Sequence, residues 1–127
     1  MTTWEGKREN AIQKKSMNFG IRIVRLARYL NNQRDFILAN QVLRSGTAIG
    51  ALVREAQYAE SRKDFIHKLS IAIKEANETI YWLELLEGAD LLPQKAFESI
   101  HHDNVELLRI LTSIIKSSKR TPRIDNC

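Results

Sequence analysis

Seven residues recur through positions 65–86 at alternating steps of four and three: Phe65, Leu69, Ala72, Ala76, Thr79, Leu83 and Leu86. An α-helix turns once in about 3.6 residues, so this rhythm stacks all seven on one face, whereas a strand repeats every two residues. Ser61, with Asp64 three residues on, approximates a capping box at the start of this helix. Gly88 is expected to end it as the glycine just beyond the last turn.

Three further segments carry the same rhythm. The first is expected to run from about residue 10 to 30, with Ile12, Ser16, Phe19, Ile23, Leu26 and Leu30 on its seam. Met17, Gly20, Val24 and Ala27 widen its apolar arc to roughly half the circumference, beyond the ~100° stripe of a surface helix. Two contact surfaces follow, one within the subunit and one against a neighbour. Lys14, Lys15, Arg22, Arg25 and Arg28 fall on the opposite arc. The last segment starts near Pro93, which suits a first turn, and follows Phe97, Ile100, Asn104, Leu107, Leu111 and Ile114.

The remaining segment contains RSGTAIGALVR, residues 44–54, which suggests at first a loop or a phosphate cradle. Its phase excludes both. Leu38, Val42, Ser45, Ile49, Leu52 and Ala56 carry the helical rhythm straight through it. A phosphate loop needs a strand before its glycines and Lys-Ser/Thr after them, and neither is present. Gly46 and Gly50 are one turn apart on one face, and each costs about 0.8–1 kcal/mol in a helix relative to alanine. Close approach of another helix, as small residues permit, is the expected compensation. Ser45, Gly46, Ile49 and Gly50 are therefore assigned to helix packing.

Four amphipathic segments with short connections make an all-α, antiparallel up-down-up-down four-helix bundle. The 127 residues fit a single domain, with an ordered core over about 10–117 and flexible termini. No run of 18 apolar residues is present, so no membrane span is expected, and the N-terminus has no secretory h-region. The one cysteine, Cys127, makes neither a disulfide framework nor a zinc site, and a cytoplasmic protein is the simplest reading.

The net charge of +5 is unevenly spread. Residues 1–34 hold eight Lys/Arg against Glu5 and Glu9, a local charge of +6, while residues 61–90 hold four against six, −2. Such polarity points to an anionic partner through the basic first helix: Lys14, Lys15, Arg22, Arg25 and Arg28, helped by Lys116, Lys119, Arg120 and Arg123. A solvated helix face explains the same charges without any partner.

Catalytic chemistry finds little support. A di-metal bundle needs a carboxylate on every helix and Glu-x-x-His on two of them. Glu98 with His101 and Asp64 with His67 have the spacing but lie off their seams, and the first helix has no carboxylate between Glu9 and Asp35. No serine stands in a Gly-x-Ser-x-Gly elbow. No catalytic residue, metal or cofactor is assigned. The polar residues near the seams read as structural: Lys74 can pair with Glu78, and Arg44 and Arg54 with Glu75 or Glu78 across helices. Tyr81 and Trp82 flank the third seam, so at least one faces outward as an oligomer or partner contact.

The stretches QVLRSGTAIGA from Gln41, REA from Arg54, SRKDFI from Ser61, IAIKEA from Ile71 and ETIYWL from Glu78 resemble one family. It is the bacterial four-helix-bundle family found as reading frames inside intervening sequences of 23S ribosomal RNA genes. The resemblance covers about residues 19–116. It implies a bundle, a homo-oligomer that is a pentameric ring in known members, and no established enzymatic activity. The chain is also similar to the accessory variability determinant of diversity-generating retroelements, which implies RNA or DNA, and a reverse transcriptase or another protein, as partners. The alternative that the residues leave open is a structural adaptor that binds protein alone.

Overall fold

A computed structural model describes the backbone of residues 3–120 and the side chains of residues 10–120. It contains four helices: α1 (Thr3–Asn32), α2 (Phe36–Ala56), α3 (Arg62–Gly88) and α4 (Gln94–Arg120). α1 and α4 extend beyond residues 10 and 117, where fraying was expected. Arg123 and Cys127 lie outside the described residues.

The helices pack in a ring, α1 on α2, α2 on α3, α3 on α4 and α4 back on α1, and among the described residues no Cα atoms come within 8 Å across either diagonal. Short connections at 33–35, 57–61 and 89–93 force each helix to start where the previous one ends. Cross-helix pairs follow the antiparallel order: Ser45 meets Thr79 while Glu55 meets Lys68, and Lys15 meets Glu106 while Arg22 meets Asp103. The closing pair, α1 and α4, is the one adjacent pair that no connection joins.

The core is built from the seams. Ile12, Phe19, Ile23, Leu30, Val42, Ile49, Leu69, Leu83, Leu86, Leu107 and Leu111 are essentially inaccessible. Leu38, Leu52, Phe65 and Phe97 share the rhythm but are only half-buried and pack on its edge. α2 is long and apolar enough by composition alone to cross a membrane, with a mean hydropathy of 1.3, yet Val42, Ser45 and Ile49 are core residues of the bundle.

Four polar side chains are buried: Ser16, Ser45, Thr79 and Asn104. The Thr79 hydroxyl lies 2.8 Å from the Glu75 carbonyl, to which it can donate, and 2.9 Å from the Ser45 hydroxyl. Ser45 then supplies the proton of the second bond, and both groups are satisfied. Ser16 donates to the Gln13 carbonyl. Asn104 differs, because neither its amide nitrogen nor its oxygen has a hydrogen-bond partner.

Helix ends follow local chemistry. The Ser61 hydroxyl accepts the Asp64 N–H, and the Asp64 carboxylate accepts the Glu60 N–H. Gly88 is not the residue that ends α3 in a left-handed turn. It is the last helical residue, and Asp90 takes the left-handed position at φ 60°. The Asp90 and Leu91 N–H groups then satisfy the Glu87 and Leu86 carbonyls. Arg34, at φ 67°, closes α1 in the same way.

Glycines report how closely α1 and α2 pack. A Cβ on Gly46 would stand 2.7 and 2.8 Å from the two γ-carbons of Ile23, and one on Gly50 would stand 3.3 Å from the Ser16 carbonyl oxygen. Gly20 faces no atom within 4 Å. Gly20→Ala therefore gains helix propensity without a clash, and it is expected to raise stability by about 0.5–1 kcal/mol. Urea denaturation would check this, since a lower midpoint would mean that the space beside Gly20 is occupied.

Candidate nucleic-acid interface

The five cations expected to contact an anion lie on the side of α1 that faces α4 or solvent, and the structure divides them into two sets. Antiparallel packing of α4 on α1 brings two acidic residues of α4 opposite two of them. Lys15 Nζ is 3.0 Å from Glu106 Oε1. Arg22 Nη1 is 2.6 Å from Asp103 Oδ2, and the same guanidinium donates to the Ser99 hydroxyl at 3.0 Å and the Ser99 carbonyl at 3.4 Å. The second Asp103 oxygen is 3.8 Å from His102 Nδ1.

Lys14, Arg25 and Arg28 form the second set. All three are exposed and have no ion pair among the described residues. At 100° per residue they share the outer face of α1 with Ile21. Residues 14 and 25 are eleven positions apart, or about 16 Å along the axis.

α4 continues the basic surface. Arg109, Lys116 and Arg120 are exposed, and steps of seven and four place them on one outer stripe. Arg109 was not singled out in the sequence. Its neighbours Leu108 and Ile110 are apolar, and its placement becomes visible only once α4 is known to lie beside α1. The α1/α4 side thus carries six exposed cations around two neutralised ones. In the second half of α3, by contrast, residues 75–88 contain four acidic residues and no Lys or Arg.

The other assigned residues fall elsewhere. Ser45, Gly46 and Ile49 are buried, and Gly50 is half-buried against α1. On the α2/α3 surface Arg44 bridges Glu75, at 3.3 Å, and Glu78. Glu78 also accepts the Trp82 indole N–H at 2.9 Å, and among the described residues it makes no ion pair with Lys74. Arg54 pairs with neither Glu75 nor Glu78, which lie nearly three turns away along the bundle. It borders the groove between α1 and α2. Tyr81 is 55% exposed and meets the half-buried Trp82 edge-on, with ring centroids 5.0 Å apart.

Two open grooves mark the flanks of α1. The α1/α2 groove, of about 580 Å³, is lined mainly by Met17, Gly20, Ile21, Val24, Gly50 and Ala51. Met17, Ile21 and Val24 are each more than 40% exposed, so one part of the wide apolar arc is not covered within the subunit. The α1/α4 groove, of about 350 Å³, has Leu26, Tyr29, Pro93 and Ile100 in its wall and Arg22 and Arg25 at its edge.

Among the described residues no three His, Cys, Asp or Glu converge as metal ligands. His101 packs on the Phe97 ring, His67 and His102 are exposed, and Glu98 accepts a hydrogen bond from Gln94.

Comparison with known proteins adds a family. The model described as 23S rRNA-intervening sequence protein matches residues 8–113. Among solved structures, the chain is similar to a protein of unknown function from the S23 ribosomal protein family of Bacteroides thetaiotaomicron. The two share 51% identity over 86% of this chain and 98% of that one, with a TM-score of 0.84. No curated protein matches the chain.

Proposed function

Because the chain belongs to the 23S rRNA-intervening sequence protein family, we propose that it is a non-catalytic, self-associating bundle that holds a nucleic-acid backbone on its α1/α4 side. The observation that carries this reading is the outer face of α1, where Lys14, Arg25 and Arg28 stand exposed and make no ion pair among the described residues. A phosphate backbone gains most from such cations, because each contact releases condensed counterions. Arg109, Lys116 and Arg120 extend the surface onto α4. Contacts to phosphates alone carry no sequence information, so recognition through these cations would be tolerant of sequence and sensitive to salt.

Self-association is supported by the α1/α2 groove, whose exposed Met17, Ile21 and Val24 form an apolar surface beside small residues that admit another helix. A ring or other closed assembly would repeat the basic stripe on each subunit and raise avidity without any new contact. A light-scattering mass of 14.7 kDa, that of one chain, would remove this part of the proposal.

The binding test uses duplex DNA and structured RNA at about 50 and 200 mM salt. Arg25→Glu/Arg28→Glu is expected to weaken binding at least tenfold at the lower salt. Lys63→Glu/Lys74→Glu makes the same change in net charge at exposed positions of α3, diagonally opposite, and should cost much less. Equal losses in the two variants would mean that net charge alone drives association, and absence of binding by the wild type would end the nucleic-acid reading.

A further inference from the structure

We propose that Asp103 and Glu106 are built-in competitors for the phosphate backbone, which keep two of the cations on the α1/α4 side masked until a polyanion displaces them. This rests on the reading that this side meets nucleic acid, and it names how that same site is restrained.

The geometry has three parts. First, the masked cations sit within the basic surface. Lys15 and Arg22 lie on the α4-facing edge of the stripe that carries Lys14 and Arg25, and Arg109 is one turn along α4 from Glu106. A backbone laid along the seam would cross both pairs. Second, the pairs are open to solvent. The side chains of Lys15, Glu106, Arg22 and Asp103 retain 43%, 41%, 33% and 40% exposure. Ion pairs so exposed are worth at most about 1 kcal/mol, so an incoming phosphate can take the place of a carboxylate without a buried charge being stranded. Third, the Arg22 guanidinium is already oriented by the Ser99 hydroxyl and carbonyl, so it stays in place when Asp103 leaves.

The consequence is a threshold. A short or weakly charged anion meets only the free cations, whereas a long backbone anchored at Lys14, Arg25 and Arg109 also presents phosphates at high local concentration to Lys15 and Arg22. The carboxylates would thus lower affinity for small anions and select for extended ones. They also clip α1 to α4, the adjacent pair that no connection joins. Restraint of binding and closure of the bundle would therefore share the same two contacts.

The experiment compares the wild-type protein with Asp103→Asn/Glu106→Gln, which keeps the shapes and removes the charges, using a mixed-sequence duplex DNA over a salt series. Circular dichroism establishes that the variant is folded. The variant is expected to bind at least threefold more tightly near 50 mM salt, and the slope of log K against log salt should steepen by up to about 1.8, or 0.9 for each cation freed. Glu84→Gln/Glu87→Gln on α3 gives the same net charge without freeing Lys15 or Arg22, and should leave the slope unchanged. Adding Lys15→Gln/Arg22→Gln should cancel the gain in the Asp103→Asn/Glu106→Gln background and cost less in the wild type, where breaking the two ion pairs already offsets part of the phosphate contacts.

Binding by the wild type with the same slope in the variant would overturn the masking and leave the proposed function standing. Binding by the variant alone would overturn both, because no polyanion then displaces the carboxylates of the unmodified protein. No binding by either protein would overturn both.

Discussion

Asn104→Leu is expected to raise the stability of the protein by about 2–3 kcal/mol, or roughly 5–15 °C in Tm. Asn104 is completely buried at an inward seam position of α4, between Ile100 and Leu107 in the rhythm, and neither end of its amide has a hydrogen-bond partner. An unsatisfied buried donor or acceptor costs on the order of 1–3 kcal/mol in protein mutational data. Leucine has the same number of side-chain heavy atoms branched at the same carbon, and its bulkier methyl groups fill the site with atoms that need no partner. Asn104→Ala removes the same polar atoms but leaves a void, and should gain less than leucine. Calorimetry of the three proteins decides the matter, and an unchanged or lower Tm for leucine would mean that the amide is satisfied in solution. A leucine variant that gains stability but changes its oligomeric mass would assign the asparagine to specificity instead, since a buried polar group can select one arrangement among several.

Gly46→Ala should act in the opposite direction and lower stability by about 1–2 kcal/mol. Alanine alone would improve helix propensity by about 0.8–1 kcal/mol. The new Cβ, however, would lie 2.7 and 2.8 Å from the γ-carbons of Ile23 and 3.2 Å from its Cβ. Ile23 is fully buried, and a β-branched side chain in a helix has one strongly preferred χ1, so it cannot swing away. Either the helices separate or the side chain leaves its rotamer, and overpacking of this kind costs about 1–3 kcal/mol. The sign should reverse in an Ile23→Ala background, where the added methyl would partly fill the space left by isoleucine. A double-mutant cycle by urea denaturation measures this. A coupling near zero would show that α1 and α2 are not in close contact at Gly46. Gly50→Ala should be nearly neutral by comparison, because its Cβ would only press at 3.3 Å on the Ser16 carbonyl and the gain in propensity offsets that.

Much of the fold is legible in the sequence for one physical reason: a helix packed along one side must repeat its buried residues every three or four positions. That is why Ile12, Phe19, Ile23 and Leu30 could be assigned to the core of α1, and Leu69, Ala72, Ala76 and Leu83 to that of α3. Helix ends are less legible because they depend on a few backbone torsions. Gly88 has the residue type for a left-handed cap, yet α3 runs through it and Asp90 adopts that conformation. Asn104, whose amide is unsatisfied, was visible as a polar member of an apolar seam, but periodicity cannot tell whether a neighbour supplies a hydrogen bond.

The candidate site divides in the same way. Lys14, Lys15, Arg22, Arg25 and Arg28 fall on one arc of α1 by phase alone. Which of them stay free is a property of register between helices that are 77 to 91 residues apart in sequence. Asp103 and Glu106 are three apart on α4, and nothing within that helix indicates that they face Arg22 and Lys15. Likewise, phase gave α1 an apolar arc wider than one contact needs, but packing of α2 and α4 decided that Ile23 and Leu26 are covered while Met17 and Val24 remain open. The sequence by itself determined four amphipathic helices and the side each one buries, since those follow from the 3.6-residue turn. The pairing of charges, the close fit at Gly46 and the exposed groove were decided only by tertiary structure, because they depend on the distance and register between separate helices.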